Sequence, residues 1–142
     1  MILLYNFAVK FYGLLIWLAS FFSKKAALWI NGRIGLFTEL ESQFQKVNFK
    51  ESPIIWMHVA SLGEFEQGRP IIEGLKRHFP KYKILLTFFS PSGFEIRKDY
   101  QLADFVCYLP LDTKKNAKRF VEIVQPKRSH ARENGHWRKC IG

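Results

Sequence analysis

Three unbroken apolar runs, each closed by a turn and followed by a helix-period segment, leave the middle of this chain one simple solution. Ile54-Ile55-Trp56-Met57-His58-Val59 leads into Ala60-Ser61-Leu62-Gly63, then into residues 64–79 with Ile71, Ile72, Leu75 and Phe79 at helical spacing. Residues 83–89 lead into Ser90-Pro91-Ser92-Gly93 and a short helix over 94–100. Residues 105–109 lead into Pro110-Leu111-Asp112-Thr113, where Asp112 or Thr113 caps a helix running to Val124. Strand and helix in strict alternation predict a parallel sheet with right-handed crossovers. Strands without polar alternation predict burial on both faces. Pro70 fits near the first turns of its helix or as a kink, and Pro80 ends that helix.

Ligands of such sheets bind beyond the carboxyl ends of the strands. Gly63 and Gly93 there permit close backbone approach at helix amino-termini, which suit anions. Ser61, Ser90 and Ser92 add hydroxyls, and Glu64 is a carboxylate placed to act as a general base. Each has a plainer reading. Glu64 is also a helix-start acid favoured by the macrodipole, Ser90 and Ser92 are also caps, and His58 is also a core histidine. No G-x-G-x-x-G, P-loop lysine or metal-ligand spacing is present.

The amino-terminal segment is of another kind. Residues 2–22 are apolar apart from Asn6, Lys10 and Ser20. As a helix they span about 31 Å, enough for a hydrocarbon core of about 30 Å. Asn6, Lys10, Gly13, Trp17 and Ser20 fall on one seam. A full span sets Lys10 near mid-bilayer at about 2.5–3.5 kcal/mol, whereas an interfacial helix keeps the seam wet. A core helix of a soluble domain and a cleaved signal peptide are the competing readings. No basic residue precedes the apolar run and no A-x-A site follows it, which argues against the signal peptide. Lys24, Lys25 and Arg33 then place the downstream domain in the cytoplasm, as solvated charges or against lipid phosphates. Residues 25–48 predict a second helical stretch, interrupted at Asn31-Gly32-Arg33.

The net charge of +10 permits anionic lipid or nucleic acid as a partner. Residues 127–142 hold five bases and one acid, the remainder 17 bases and 11 acids. That core balance, with no nucleic-acid motif, disfavours a nucleic-acid binder. Two cysteines, Cys107 in an apolar run and Cys140 in the basic tail, make no disulfide framework and suit a reducing compartment.

Ala60-Ser61-Leu62-Gly63-Glu64-Phe65-Glu66-Gln67-Gly68-Arg69-Pro70 after an apolar strand resembles the amino-terminal domain of the 3-deoxy-D-manno-octulosonic acid (Kdo) transferases. So do 86–95 (Leu-Thr-Phe-Phe-Ser-Pro-Ser-Gly-Phe-Glu), Tyr108-Leu109-Pro110-Leu111-Asp112, and the leading hydrophobic helix with Leu4-Tyr5-Asn6. The resemblance covers residues 1–127. It implies half of a GT-B glycosyltransferase with a Rossmann-like parallel sheet and flanking helices, behind an amino-terminal membrane helix. It implies transfer of Kdo from CMP-Kdo to lipid A precursor at the cytoplasmic face of the inner membrane, with no metal or cofactor. It also implies Glu64 as base and Ser61, Gly63, Ser90, Ser92 and Gly93 on the acceptor side.

The expected organisation is therefore an anchor helix over 1–23, a helical connector over 24–52, the acceptor-side domain over 53–127 and an aberrant basic tail over 128–142. After Lys127 the family continues into an apolar strand and a Lys-x-Glu-x-Trp segment, where this chain reads Arg128-Ser129-His130-Ala131-Arg132. That departure predicts a frameshifted or truncated product, or else a natural short chain with a basic tail; either is expected to be inactive, without the domain that holds CMP-Kdo and with one open strand edge. The alternative function is a non-enzymatic membrane-bound module for anionic lipid or sugar phosphate.

Overall fold

The structure, a computed structural model, describes residues 2–130. Its centre is a four-stranded parallel sheet of β1 (Ile54–Val59), β2 (Lys83–Phe88), β3 (Phe105–Tyr108) and β4 (Pro126–His130), in the order β3-β2-β1-β4. α4 (Leu62–His78) links β1 to β2 and α5 (Pro91–Arg97) links β2 to β3. α6 (Lys114–Val124) carries the chain back across the sheet to β4.

The side-chain period of two divides each strand between two cores. Ile55, Met57, Val59, Ile84, Leu86 and Phe88 face Phe65 and Ile72 of α4. Ile54, Trp56, Leu85 and Cys107 face Ala117, Phe120 and Val124 of α6, together with Leu36, Leu40 and Phe44 of α3 (Leu36–Phe44). The sheet is thus covered on both sides, as its apolar strands require.

Several elements differ from the sequence-based expectation. α4 starts at Leu62 rather than Glu64 and holds Pro70 in its interior. Its core stripe is Phe65, Ile72 and Leu75, while Ile71 and Phe79 are half exposed. The fourth strand, expected to be lost to the basic tail, is present over Pro126–His130 beside β1. Parallel pairing uses backbone groups, and an edge position tolerates a polar sequence. Gln125 turns α6 directly into it with φ 45, and Pro126 opens the strand, where a missing donor costs least. The edge of β1 is therefore paired. Residues 131–142, including Glu133 and Cys140 of the tail, lie outside the described residues.

Ahead of the sheet stand α1 (Ile2–Ser20) and α2 (Lys24–Asn31), the latter capped by Ser23. The break between α2 and α3 falls at the expected Asn31-Gly32-Arg33. The window Leu3–Ser20 has a mean hydropathy of 1.4 and none of it is buried, so α1 is long and apolar enough to cross a membrane. The seam divides: Lys10 and Trp17 are exposed, and its other members turn towards the domain. Asn6, Gly13 and Ser20, with Val9 and Ile16, are the half-buried residues of α1. A Cβ on Gly13 would sit 3.4 Å from Leu111 Cδ2. Small residues let the helix lie against its own domain, and Leu3, Phe7, Phe11, Leu18 and Phe22 point away from it, exposed.

Candidate functional site

Crossovers from β1 and from β3 leave in opposite directions, so the strand order reverses between β1 and β4. Sheets of this kind bind ligands at such a reversal, which here falls at the carboxyl end of β1. The ladder extends past the strand ends and locks the turns together. Phe89 N donates to Val59 O at 3.2 Å, Ser90 N to Ala60 O at 2.9 Å and Leu109 N to Phe88 O at 2.8 Å.

Ser61 caps α4: its Oγ accepts from Glu64 N at 3.3 Å. The Glu64 carboxylate reaches back and accepts from Ala60 N at 2.7 Å through Oε2. This is a capping box with the return bond displaced by one residue. Glu64 is exposed, and among the described residues Oε1 takes no hydrogen bond. One carboxylate oxygen thus holds the turn while the other is free to take a proton. The geometry serves capping and base chemistry alike.

Gly63 stands in open space, with only Ser61 Oγ within 4 Å of an added Cβ. Gly93 is sterically required: a Cβ there would fall 2.6 Å from Phe88 Cδ1 and 3.1 Å from Leu62 N. The absence of a side chain at Gly93 therefore lets α5 close onto the start of α4. Ser90 occupies the amino-cap position of α5 without capping it. Its hydroxyl pairs with that of Ser92 at 2.7 Å instead. Glu64, Ser61 and Gly63 thus lie on one turn, Ser90, Ser92 and Gly93 on the next, and Gly93 joins the two.

His58 follows the core-histidine reading. Its Nδ1 lies 3.0 Å from Thr87 Oγ1, which also accepts from Trp56 Nε1 at 2.9 Å. Burial, with Arg33 nearby, lowers His58 from 6.5 to about 4 against the opposing pull of Thr87 and Glu64, so the ring is neutral at pH 7. Burial likewise raises the Cys107 thiol above its usual range, which leaves it unreactive.

Arg33 is the residue that the sequence reading misplaced. It is neither solvated nor turned towards lipid phosphate but folded under the sheet edge. Nε donates to Leu109 O at 2.9 Å, Nη1 to Trp29 O at 2.9 Å and Nη2 to Phe89 O at 3.1 Å. The guanidinium carbon stacks 3.7 Å from the Trp29 ring centroid. Burial lowers its pKa to about 10, which still leaves it charged. Among the described residues no carboxylate forms a salt bridge to it, and its charge is met by three carbonyls and the aromatic faces. Gly32 makes room: a Cβ there would meet Tyr108 Cε2 at 2.1 Å. The Gly-Arg pair one turn after Trp29 was the available signal, but the carbonyl partners lie 56 and 76 residues away.

Beside this edge, a cleft of about 390 Å³ separates α1 and α2 from the β2–α5 turn. Tyr12, Ile16, Ala26, Trp29, Phe89 and Pro91 give it apolar walls, and Ser23, Lys25 and Ser90 complete its lining. Among the described residues no group of three metal-ligating side chains comes together.

A family model described as 3-deoxy-D-manno-octulosonic-acid transferase (kdotransferase) matches residues 30–142. The match begins at the end of α2 and continues past Lys127. The 3-deoxy-D-manno-octulosonic acid transferase of Aquifex aeolicus is 36% identical over 107 residues, 74% of this chain and 30% of that protein. That of Haemophilus influenzae is 34% identical over 88 residues, 61% of this chain and 21% of that protein. That of Chlamydia trachomatis serovar D is 32% identical over 78 residues, 54% of this chain and 18% of that protein. The chain spans less than a third of the length of each of these relatives.

Proposed function

This chain belongs to the 3-deoxy-D-manno-octulosonic-acid transferase family, and on that premise we propose that it is the acceptor-binding, membrane-attached half of a Kdo transferase. The enzyme moves Kdo from CMP-Kdo to lipid A precursor at the cytoplasmic face of the inner membrane. CMP-Kdo is held by a second domain, for which the additional length of the relatives leaves room.

The observation that carries this reading is the placement of Glu64. Its carboxylate is exposed at the carboxyl end of β1, where the strand order reverses, with Oε2 held by Ala60 N. In the reaction an acceptor sugar hydroxyl gives its proton to Oε1. The hydroxyl oxygen forms the bond to the anomeric carbon of Kdo, and the bond from that carbon to the CMP oxygen breaks, CMP leaving with the electron pair. Ser90 and Ser92 offer hydroxyls to the acceptor sugar on the adjoining turn. No step requires a metal.

The test is a hybrid carrying residues 30–127 of this chain in place of the matching segment of the Aquifex aeolicus transferase. It should transfer Kdo from CMP-Kdo to lipid A precursor. Glu64→Gln should lower kcat by about 10²–10⁴-fold with KM for the acceptor nearly unchanged. Glu66→Gln should act on stability alone, because Glu66 is committed to Arg97 at 2.5 Å and Arg69 at 3.2 Å. Full activity in the Glu64→Gln hybrid would return Glu64 to a purely capping role. The 142-residue chain alone should transfer no Kdo, and turnover by it would overturn the assignment of donor binding to a second domain.

A further inference from the structure

We propose that the cleft between α1, α2 and the β2–α5 turn holds one acyl chain of the phosphorylated glycolipid acceptor, with Lys25 facing a phosphate. The inference rests on the acceptor assignment above and adds a site for the part of the acceptor that does not react.

The cleft shares Ser90 with the candidate site. A sugar hydroxyl placed at Glu64 therefore brings the first atoms of an attached chain to this opening. Away from Ser90 the walls are Tyr12 and Ile16 of α1 and Ala26 and Trp29 of α2. The Tyr12 and Trp29 rings meet edge to face at 6.2 Å, and Trp29 meets Phe89 at 5.8 Å, so the aromatic floor is continuous. The same α1 presents Phe11, Leu15 and Leu18 to its surroundings. A chain lying against those residues enters the cleft without crossing water.

Charge sets the head-group end. Lys25 has no ion-pair partner among the described residues, and Lys24 precedes it. A phosphate there gains a cation and the Ser23 and Ser90 hydroxyls nearby. A chain leaving the bilayer for the cleft exchanges one apolar environment for another and gains little hydrophobic free energy. Discrimination among lipids therefore falls to the phosphosugar held at Lys25 and Ser90. An ordinary phospholipid offers the chain without that head group.

The experiment places the 142-residue chain in nanodiscs containing lipid A precursor with a diazirine on the acyl carbons nearest the sugar. A phosphatidylglycerol probe with the same diazirine is run beside it. The glycolipid should crosslink to Ile16, Ala26 or Pro91, several-fold more than phosphatidylglycerol does. Ala26→Trp, which fills the cleft, should cut that crosslinking at least tenfold. Ala26→Ser should retain it, and Phe22→Trp, on an exposed position, should leave it unchanged. Crosslinks confined to Leu3, Phe7 and Phe11 in the unaltered chain would overturn the proposal. Equal labelling of the cleft by both probes would overturn its assignment to the glycolipid. Failure of the acceptor reading is seen separately, as a hybrid enzyme that transfers no Kdo or is indifferent to Glu64→Gln.

Discussion

Acidification tests the buried edge of the sheet through one residue, His58. In the folded chain it titrates near 4, against an ordinary 6.5, because burial and Arg33 disfavour the imidazolium. Between those values the unfolded chain binds a proton that the folded chain refuses. The depressed pKa of a basic group therefore destabilises the fold as pH falls: stability is complete above 6.5 and drains away towards 4. The slope is at most about 1.4 kcal/mol per pH unit, and over that window the loss integrates to roughly 3 kcal/mol. The assay is urea unfolding in detergent between pH 7.5 and 4.5, followed by circular dichroism, on the wild type and on His58→Asn. Asparagine keeps a hydrogen-bonding group near the position of Nδ1, within reach of Thr87 Oγ1, and cannot titrate. Asp104 is pushed up by burial but pulled further down by Lys76, Ile84 N and Lys83. Its contribution fades below its ordinary 3.8, is common to both proteins and cancels in the comparison. The wild type should lose about 2–3 kcal/mol more than His58→Asn across the range. Equal losses, within about 0.5 kcal/mol, would show that His58 is free to protonate in place and that the account of its burial is wrong.

Two further outcomes follow from the contacts of the connector and of α1. Gly32→Ala drives a methyl group into a Tyr108 ring that is 1% exposed and closed in by Phe94 at 4.1 Å. It should cost about 1–3 kcal/mol, read as a lowered Tm, and an unchanged Tm would mean that the ring has room to move. The exposed apolar face of α1 should hold the chain in bacterial membranes through a wash at about 1 M salt, where charges are screened beyond about 3 Å. Release by that wash would leave Lys24 and Lys25 as the whole attachment.

What the sequence revealed and what it hid divide along one physical line. β1, β2 and β3 were legible because a strand covered on both faces writes its burial into every residue, as Ile84-Leu85-Leu86 does. β4 was not, because an edge strand is defined by the backbone it pairs with, and Pro126–His130 carries no apolar signature. The break at Asn31-Gly32-Arg33 could be seen, but its purpose could not. Arg33 is held by carbonyls of Phe89 and Leu109, and backbone acceptors leave no trace in side-chain patterns. The seam on α1 was visible as spacing, yet spacing says only which residues share a face, and the domain covers Asn6, Gly13 and Ser20 while Lys10 and Trp17 stay exposed. At the site, Glu64 could be read as an acid at a helix start and does lie in the first turn of α4, but the Ser61 cap that begins the helix two residues earlier was not read. The clustering of two turns through Gly93 needed the sheet to be assembled first.

The three carbonyls that hold Arg33 also have a mechanical meaning. They belong to α2, to the end of β2 and to the end of β3. A guanidinium is a rigid plane, so the end of α2 cannot shift against either strand end without breaking a bond. The end of α2 and the turns beyond the strands thus move as one piece, and α1 packs on α2 through the edge-to-face pair of Tyr12 and Trp29. A membrane helix tilts to match the thickness of the bilayer around it. If α1 tilts, the Ser90 turn tilts with it. In the proposed membrane-attached enzyme, the pitch and height of the sheet edge above the lipid would then depend on bilayer thickness, and the proposed transfer would become sensitive to the chain length of lipids it never touches.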